Sequence, residues 1–146
     1  MSVLEDVITN KAITIPIFAW FTAQFIKVVS RLVVERRLDF TMFVSSGGMP
    51  SSHSSFTVSL AIVIGKSYGW NSGLFALAVA FAFIVMYDAA GVRRAAGKQA
   101  KVLNKLVHSH LGRIEFEGKL KELIGHTPLE VLMGALLGIL LGLLLG

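Results

Sequence analysis

Four long apolar runs dominate this sequence and constrain its fold more than any other feature. A helix needs roughly 17 to 25 residues to cross a hydrocarbon core of about 30 Å, and each run is that long. Of the 146 residues, 54% are hydrophobic and only 16% are charged, well below the charged share of about 25% in soluble domains. We therefore predict an all-α integral membrane protein, a single membrane-embedded domain over residues 1–146. Its four transmembrane helices are expected at approximately 13–34, 51–68, 73–90 and 128–146.

The segment between the third and fourth runs, residues 91–125, is too charged to cross the membrane. In its first part the apolar residues fall mostly on one helical face and the basic residues on another. This pattern predicts one interfacial amphipathic helix.

The distribution of basic residues predicts the orientation. Four crossings place Lys11 and Lys66 on one side of the membrane and the other twelve of the fourteen Lys and Arg residues on or toward the second side. The positive-inside rule makes the second side cytoplasmic. The start of the chain carries Glu5 and Asp6 without a basic segment, so the first run is expected to be a retained helix of the cell membrane.

The net charge of +5 and the absence of cysteine narrow the function classes. The basic residues lie between apolar spans without a nucleic-acid-binding motif, so membrane lipids with anionic headgroups, and not nucleic acids, are the expected partners. No disulfide, thiolate metal site or thiol nucleophile is available.

The last run carries glycine at every fourth position, at Gly134, Gly138, Gly142 and Gly146. Small residues at this spacing let two helices approach closely in lipid. Packing against another span of the same chain is the favoured interpretation, and a homodimer through Gly134, Gly138 and Gly142 is the alternative.

The stretch SSGGMPSSHSS, residues 45–55, precedes the second run and predicts a helix start. Pro50 suits the start of a helix and the serines suit its cap. A helix N-terminus has free N–H groups and attracts anions such as phosphate. Ser51 and Ser52 are candidate phosphate ligands and His53 a candidate proton carrier, although an ordinary capped helix with an interfacial histidine fits as well.

The stretch YDAAGVRRAAG ends the third run and carries a carboxylate and two arginines. Asp88 is a candidate catalytic residue, and in an apolar helix it requires a partner such as Arg93 or Arg94. Guanidinium groups suit forked phosphate contacts. A structural ion pair and a simple basic anchor are the alternative interpretations.

The stretch GHTPLEVLMGALLG opens the fourth run and contains a histidine and a glutamate four residues apart. Glu130 could therefore orient the imidazole of His126. The same residues fit a capping box, in which Glu130 only satisfies the helix start.

Lys27, in the first run, is deep enough to be a candidate phosphate ligand, although extension of its side chain to the headgroups is the simpler explanation. The four crossings place Lys27, His53, Asp88 and His126 toward the same side of the membrane. We therefore expect these residues to converge on one site.

Three stretches, GGMPSSHSS, VMYDAAGVRRAAGKQA and GHTPLEVLMGALLG, resemble the divergent branch of the type 2 phosphatidic acid phosphatase superfamily, which is related to vanadium-dependent haloperoxidases. The resemblance covers the chain from about residue 23 onward. It implies that His126 is a nucleophile forming a phosphohistidine, that Glu130 orients it, and that His53 protonates the leaving group. Such covalent relay requires neither metal nor cofactor.

Several positions depart from the superfamily pattern, which has a Lys and Arg-Pro, then Pro-Ser-Gly-His, then Ser-Arg followed by His and Asp. Ser52 stands in the glycine place and Glu130 in the place of aspartate. Arg36 and Arg37 follow Lys27 at a different spacing and without proline. The Ser-Arg element is replaced by Val92-Arg93-Arg94, about thirty residues before the histidine.

The resemblance implies a phosphatase acting on a lipid phosphate of the phosphatidylglycerophosphate, phosphatidate or polyprenyl phosphate class. A non-catalytic membrane protein that binds anionic lipid, or scaffolds a partner, through the same basic pocket is the alternative. A transporter has little support, because the four spans show no inverted repeat. A metal site formed by Asp88, His126 and Glu130, or by His108 and His110, remains open at this point.

Overall fold

The computed structural model describes residues 2–36, 48–110, 120 and 125–146, without the side chains of 34, 35 and 107–110. Within these ranges the chain is helical and contains no strand. The helices are α1 (Val3–Thr9), α2 (Lys11–Glu35), α3 (Ser52–Tyr68), α4 (Gly73–Ala90), α5 (Val92–His110) and α6 (Pro128–Leu145).

Polar caps set the starts of the long helices. The side chains of Asn10, Ser51, Ser72 and Thr127 accept hydrogen bonds from backbone N–H groups in the first turns of α2, α3, α4 and α6. These N–H groups have no partner within their own helix, and a cap satisfies them. Pro50 was expected at the start of the second span, and it lies directly before the cap residue Ser51.

The central helix is α3, which packs against α2, α4 and α6. Its buried residues are small and often polar: Ser52, Ser54, Ser55, Thr57, Ser59, Ala61, Val63 and Gly65. Three stretches among the described residues are long and apolar enough to cross a membrane: Lys11–Val33, the run Gly73–Leu106 that contains α4, and Pro128–Leu145. The predicted count of four spans is therefore approximate, because α3 has 17 residues and is rich in serine.

The bundle exposes large apolar side chains and buries small ones. Phe25 is 62% exposed, Ile84 67% and Leu144 70%, whereas Ala19 and Ala23 are completely buried. A hydrophobic exterior over a core of small residues suits lipid as the solvent, since close helix packing is the main source of attraction there. The fold is that of an all-α membrane protein.

The glycine stripe of α6 lies directly against α3. A methyl group added at Gly138 would lie 2.7 Å from the carbonyl oxygen of Ser55, and one added at Gly134 would contact the carbonyl oxygen of Ser51. The Ser55 hydroxyl donates to the carbonyl of Gly134 across this contact, at 2.9 Å. The stripe therefore packs within the chain, and a homodimer through it would have to replace these contacts.

Opposite ends of the bundle carry different chemistry. At one end, the amino groups of Lys11 and Lys66 donate to the carbonyls of Gly146 and Leu143, near the end of α6. The end of α2, the start of α3, the end of α4 and the start of α6 lie at the other. This arrangement agrees with the predicted threading and collects the candidate site residues at one end.

The predicted interfacial segment forms α5 over Val92–His110, and 111–119 and 121–124 lie outside the described residues. Gly91 separates α5 from α4 with φ −100° and ψ −86°, outside the helical range. Among the described helices, α5 contacts only α4. Its residues Ala100 and Asn104 are buried, and the Asn104 side chain both donates to the carbonyl and accepts from the N–H of Leu120.

The α3–α6 contact predicts the effect of a single added methyl group. Gly138→Ala places that group against backbone atoms of α3 that cannot rotate away, so the protein should lose about 1 to 3 kcal/mol of stability. Thermal unfolding in detergent measures the loss. Gly73→Ala is the matched control, because no heavy atom lies within 4 Å of its added methyl group. Equal unfolding temperatures for the two variants would contradict the packing role.

Candidate active site

The start of α3 is joined to the start of α6 by the residue that caps α3. Ser51 is completely buried, its hydroxyl accepts from the N–H of Ser54 at 3.3 Å, and its own N–H donates to the carbonyl of Glu130 at 2.9 Å. The hydroxyl thus caps α3, and the N–H joins the start of α3 to the start of α6. The Ser51 hydroxyl still has its O–H to donate, so its role as a phosphate ligand stays a prediction.

Two N–H groups of the first turn of α3 remain available. The N–H groups of Ser52 and His53 make no hydrogen bond with the described part of the chain. They lie at the positive end of the helix, where an anion is stabilised. The His53 ring, one residue into this turn, is partly exposed.

His126 and Glu130 form the pair that their spacing predicts. His126 is 2% exposed, and its Nδ1 lies 3.1 Å from Oε2 of Glu130. The same oxygen accepts the backbone N–H of Thr127 at 3.0 Å, while the Thr127 hydroxyl accepts the N–H of Glu130. The contacts that the histidine-orienting and capping-box interpretations require are therefore both present, because one carboxylate makes both.

Two backbone contacts fix the position of His126 ahead of α6. Its N–H donates to the carbonyl of Ala89 in α4 at 2.9 Å. The preceding Gly125 has φ +96°, and a methyl group there would collide with the backbone of Arg93 and Arg94. Only glycine allows both this conformation and this approach. The histidine is thus held against the α4–α5 junction. The residues around His126 in the sequence did not predict this contact.

Lys27 extends into the bundle and not to the headgroups. It is 3% exposed, and its Nζ lies 3.5 Å from the hydroxyl of Ser52, at the outer limit of a hydrogen bond. The alternative interpretation, in which the side chain extends to the headgroups, does not agree with this burial; the role of Lys27 as a phosphate ligand stays a prediction. Gln24, which sequence reasoning did not single out, is buried one turn earlier on the same face of α2; its spacing of three residues from Lys27 was the available signal.

Asp88 pairs with the first of the two arginines. Nε of Arg93 lies 2.6 Å from Oδ2 of Asp88, and the two side chains are 46% and 38% exposed. Because the pair uses Nε, it leaves the terminal nitrogens of the guanidinium for another ligand. Arg94 makes no such contact within the described residues, so the structure separates two residues that the sequence left equivalent.

These groups converge at one end of the bundle. The rings of His53 and His126 are 6.2 Å apart between centroids. Lys27, Asp88 and Arg93 are all close enough to act electrostatically on His53. The structure brings together seven of the nine predicted site residues: Lys27, Ser52, His53, Asp88, Arg93, His126 and Glu130. Ser51 and Arg94 border the cluster through their backbones, and Arg37 lies outside the described residues.

The surroundings of His126 favour its neutral form. Burial is the largest cause that lowers the pKa of His126 below its ordinary value of 6.5, and the charge of Lys27 lowers it further. The hydrogen bond with Glu130 opposes this shift, as does the nearby backbone of Gly48. Nε2 is buried and makes no hydrogen bond of ordinary geometry with the described residues. At neutral pH the ring therefore keeps a lone pair available.

No three His, Asp or Glu side chains in the described part of the chain are placed so that they could hold one metal ion. Asp88 is instead paired with Arg93, and Glu130 with His126 and the start of α6. The side chains of His108 and His110 lie outside the described residues.

Comparison with known proteins identifies the family. A family model described as "Divergent PAP2 family" matches residues 8–141. The chain belongs to the divergent PAP2 family. It is also 43% identical over 143 residues to the uncharacterized membrane protein YuiD of Bacillus subtilis (strain 168), an alignment that covers 90% of each chain. No solved structure matches the chain. The resemblance drawn from the three motifs is thus confirmed.

The shared carboxylate predicts how His126 titrates. Glu130→Gln removes the negative charge that raises the pKa of His126, so the ring should titrate at a lower pH than in the unaltered protein, which itself titrates below 6.5. Histidine NMR in detergent measures this directly. Thr127→Ala is the control, because it removes the cap hydroxyl and leaves the Glu130 carboxylate in place. A pH titration unchanged by Glu130→Gln would show that the pair does not form.

Proposed function

We propose that this member of the divergent PAP2 family is a membrane phosphatase that hydrolyses a phosphomonoester or diphosphate of a lipid through a phosphohistidine intermediate. One observation supports it above all: the buried, neutral His126 is held by Glu130 through Nδ1 and faces a second histidine among two cations. The substrate is a lipid of the phosphatidylglycerophosphate, phosphatidate or polyprenyl phosphate class.

Phosphate binding falls to the cations and the start of α3. Lys27 and Arg93 both act electrostatically on His53, and the N–H groups of Ser52 and His53 begin the same helix, so these groups are assigned to phosphate binding. Donors of this kind stabilise the charge that develops on the transferred phosphoryl group. Asp88 holds Arg93 by Nε, which leaves the forked edge of the guanidinium for phosphate oxygens.

The first chemical step transfers the phosphoryl group to the protein. The proton stays on Nδ1 and forms a hydrogen bond to Glu130. The lone pair of Nε2 attacks phosphorus, and a P–N bond forms as the P–O bond to the leaving group breaks. Protonated His53 gives its proton to the departing oxygen. Glu130 stabilises the positive charge that the His126 ring acquires.

The second step releases phosphate. Neutral His53 takes a proton from water, whose oxygen attacks phosphorus as the P–N bond breaks. Inorganic phosphate leaves, neutral His126 is restored, and His53 is again protonated. Each histidine therefore returns to its starting state after one turnover.

The test measures phosphate release from a panel of these lipids in detergent. His126→Ala should abolish turnover, and His53→Ala should slow it by about 10² to 10⁴, the usual contribution of a general acid. Acid-labile phosphate should be trapped on the unaltered protein and be absent from His126→Ala. Thr127→Ala is the matched control, because it weakens the same helix start and leaves both histidines.

Unchanged phosphate release in both histidine variants would refute the mechanism. Lipid or phosphate binding that survives His126→Ala and weakens with Arg93→Ala, without turnover in the unaltered protein, would instead identify a non-catalytic anionic-lipid protein. That function would use the same pocket.

The proposed site faces the cytoplasm, because twelve of the fourteen basic residues belong to its side of the membrane. A chain without cysteine allows a direct test. Asn71→Cys, in the turn between α3 and α4, should react with a membrane-impermeant maleimide on intact cells. Lys101→Cys, at an exposed position of α5, should react only after permeabilisation. The reverse pattern would place the site on the outer face.

A further inference from the structure

The helix α5 has three distinct faces: buried, basic and apolar. Only Arg93, on the buried side, belongs to the candidate site. Successive helical residues are about 100° apart. Gly97, Ala100 and Asn104 form the buried face, which the Asn104 side chain ties to the backbone of Leu120. Arg93 lies on this same side and turns toward Asp88. Arg94, one residue later, points elsewhere.

The second face of α5 is a basic stripe, formed by Arg94, Lys98, Lys101 and Lys105. These residues fall within a sector of about 60° and extend for about 16 Å along the helix. The three lysines are exposed and Arg94 is partly exposed. None of the four forms an ion pair with a described carboxylate.

The third face is apolar and exposed. Val92 is 63% exposed, Val102 57% and Leu103 50%. A helix that joins an exposed apolar face to a basic one, and that begins directly after a membrane-spanning helix, is suited to the boundary between acyl chains and headgroups. Cations on such a helix attract anionic lipids.

We infer that the basic stripe of α5 is a binding surface for anionic phospholipid headgroups, separate from the catalytic cluster. Its occupant is the headgroup layer of the protein's own bilayer. The sequence of α5 contains no carboxylate to neutralise the stripe, and the neighbouring apolar face requires acyl chains. The two adjacent arginines thus have different partners: Arg93 serves the site, and Arg94 begins the stripe. Lipid binding at the stripe does not depend on turnover.

The experiment measures lipid composition beside the stripe in reconstituted vesicles. A donor fluorophore on Gln99→Cys reports energy transfer to acyl-labelled phosphatidylglycerol or to phosphatidylcholine carrying the same label. The donor should show enrichment of phosphatidylglycerol over phosphatidylcholine. K98Q/K101Q/K105Q should reduce that enrichment by at least about five-fold, because loss of a single lysine near the membrane surface already accounts for about that factor. About 0.5 M salt should reduce it without any substitution.

Two controls make the result specific. K98R/K101R/K105R preserves the charge and should keep the enrichment. A donor on Asn71→Cys, at the opposite end of the bundle, should show none of it. Enrichment that survives the glutamine substitutions and high salt, or that is equal at Asn71, would overturn the inference. So would a change of oligomeric state without loss of enrichment, because it would assign the stripe to a second copy.

Discussion

Close packing of α6 on α3 is the contact on which the site depends. Glycine at Gly134 and Gly138 lets the α6 backbone reach the carbonyls of Ser51 and Ser55. The hydrogen bond from the Ser51 N–H to the Glu130 carbonyl then fixes how the two helix starts lie against each other. His53 follows one start and His126 precedes the other, so the distance between the two rings is set by this contact. In lipid, where apolar burial supplies little attraction between helices, such close approach supplies much of it.

The carboxylate of Glu130 couples the fold to the proposed chemistry. One oxygen accepts the N–H of Thr127 and contacts Nδ1 of His126. Capping alone stabilises a helix by about 1 kcal/mol, and several residue types can provide it. Orientation of a buried imidazole requires a hydrogen-bond acceptor at Nδ1, and the helix start holds the Glu130 carboxylate there. The capping box therefore provides the preorganisation that an oriented histidine requires.

Much of the fold and of the site was predictable from the sequence, for physical reasons that can be named. Length and hydropathy locate helices in lipid well, so the predicted spans at 73–90 and 128–146 agree closely with α4 and α6. The convergence of His53, Asp88 and His126 followed from threading alone. The direction of the Lys27 side chain did not, because burial by α3 is a tertiary contact. Nor could the sequence separate Arg93 from Arg94, since that depends on the rotation of α5 about its own axis.

Lys27 is a costly feature of the candidate site, because its side chain is 3% exposed within a membrane helix. A charge inside the bilayer is expensive unless it is paired or faces a polar cavity. Lys27 has the Ser52 hydroxyl near it and the charge of Glu130 within electrostatic range, yet Glu130 is already engaged by His126 and Thr127. Its charge is thus only partly compensated within the described residues. An anionic phosphate entering between Lys27 and Arg93 would complete that compensation. The same argument does not apply to Asp88, whose partner Arg93 already neutralises it at the exposed edge of the site.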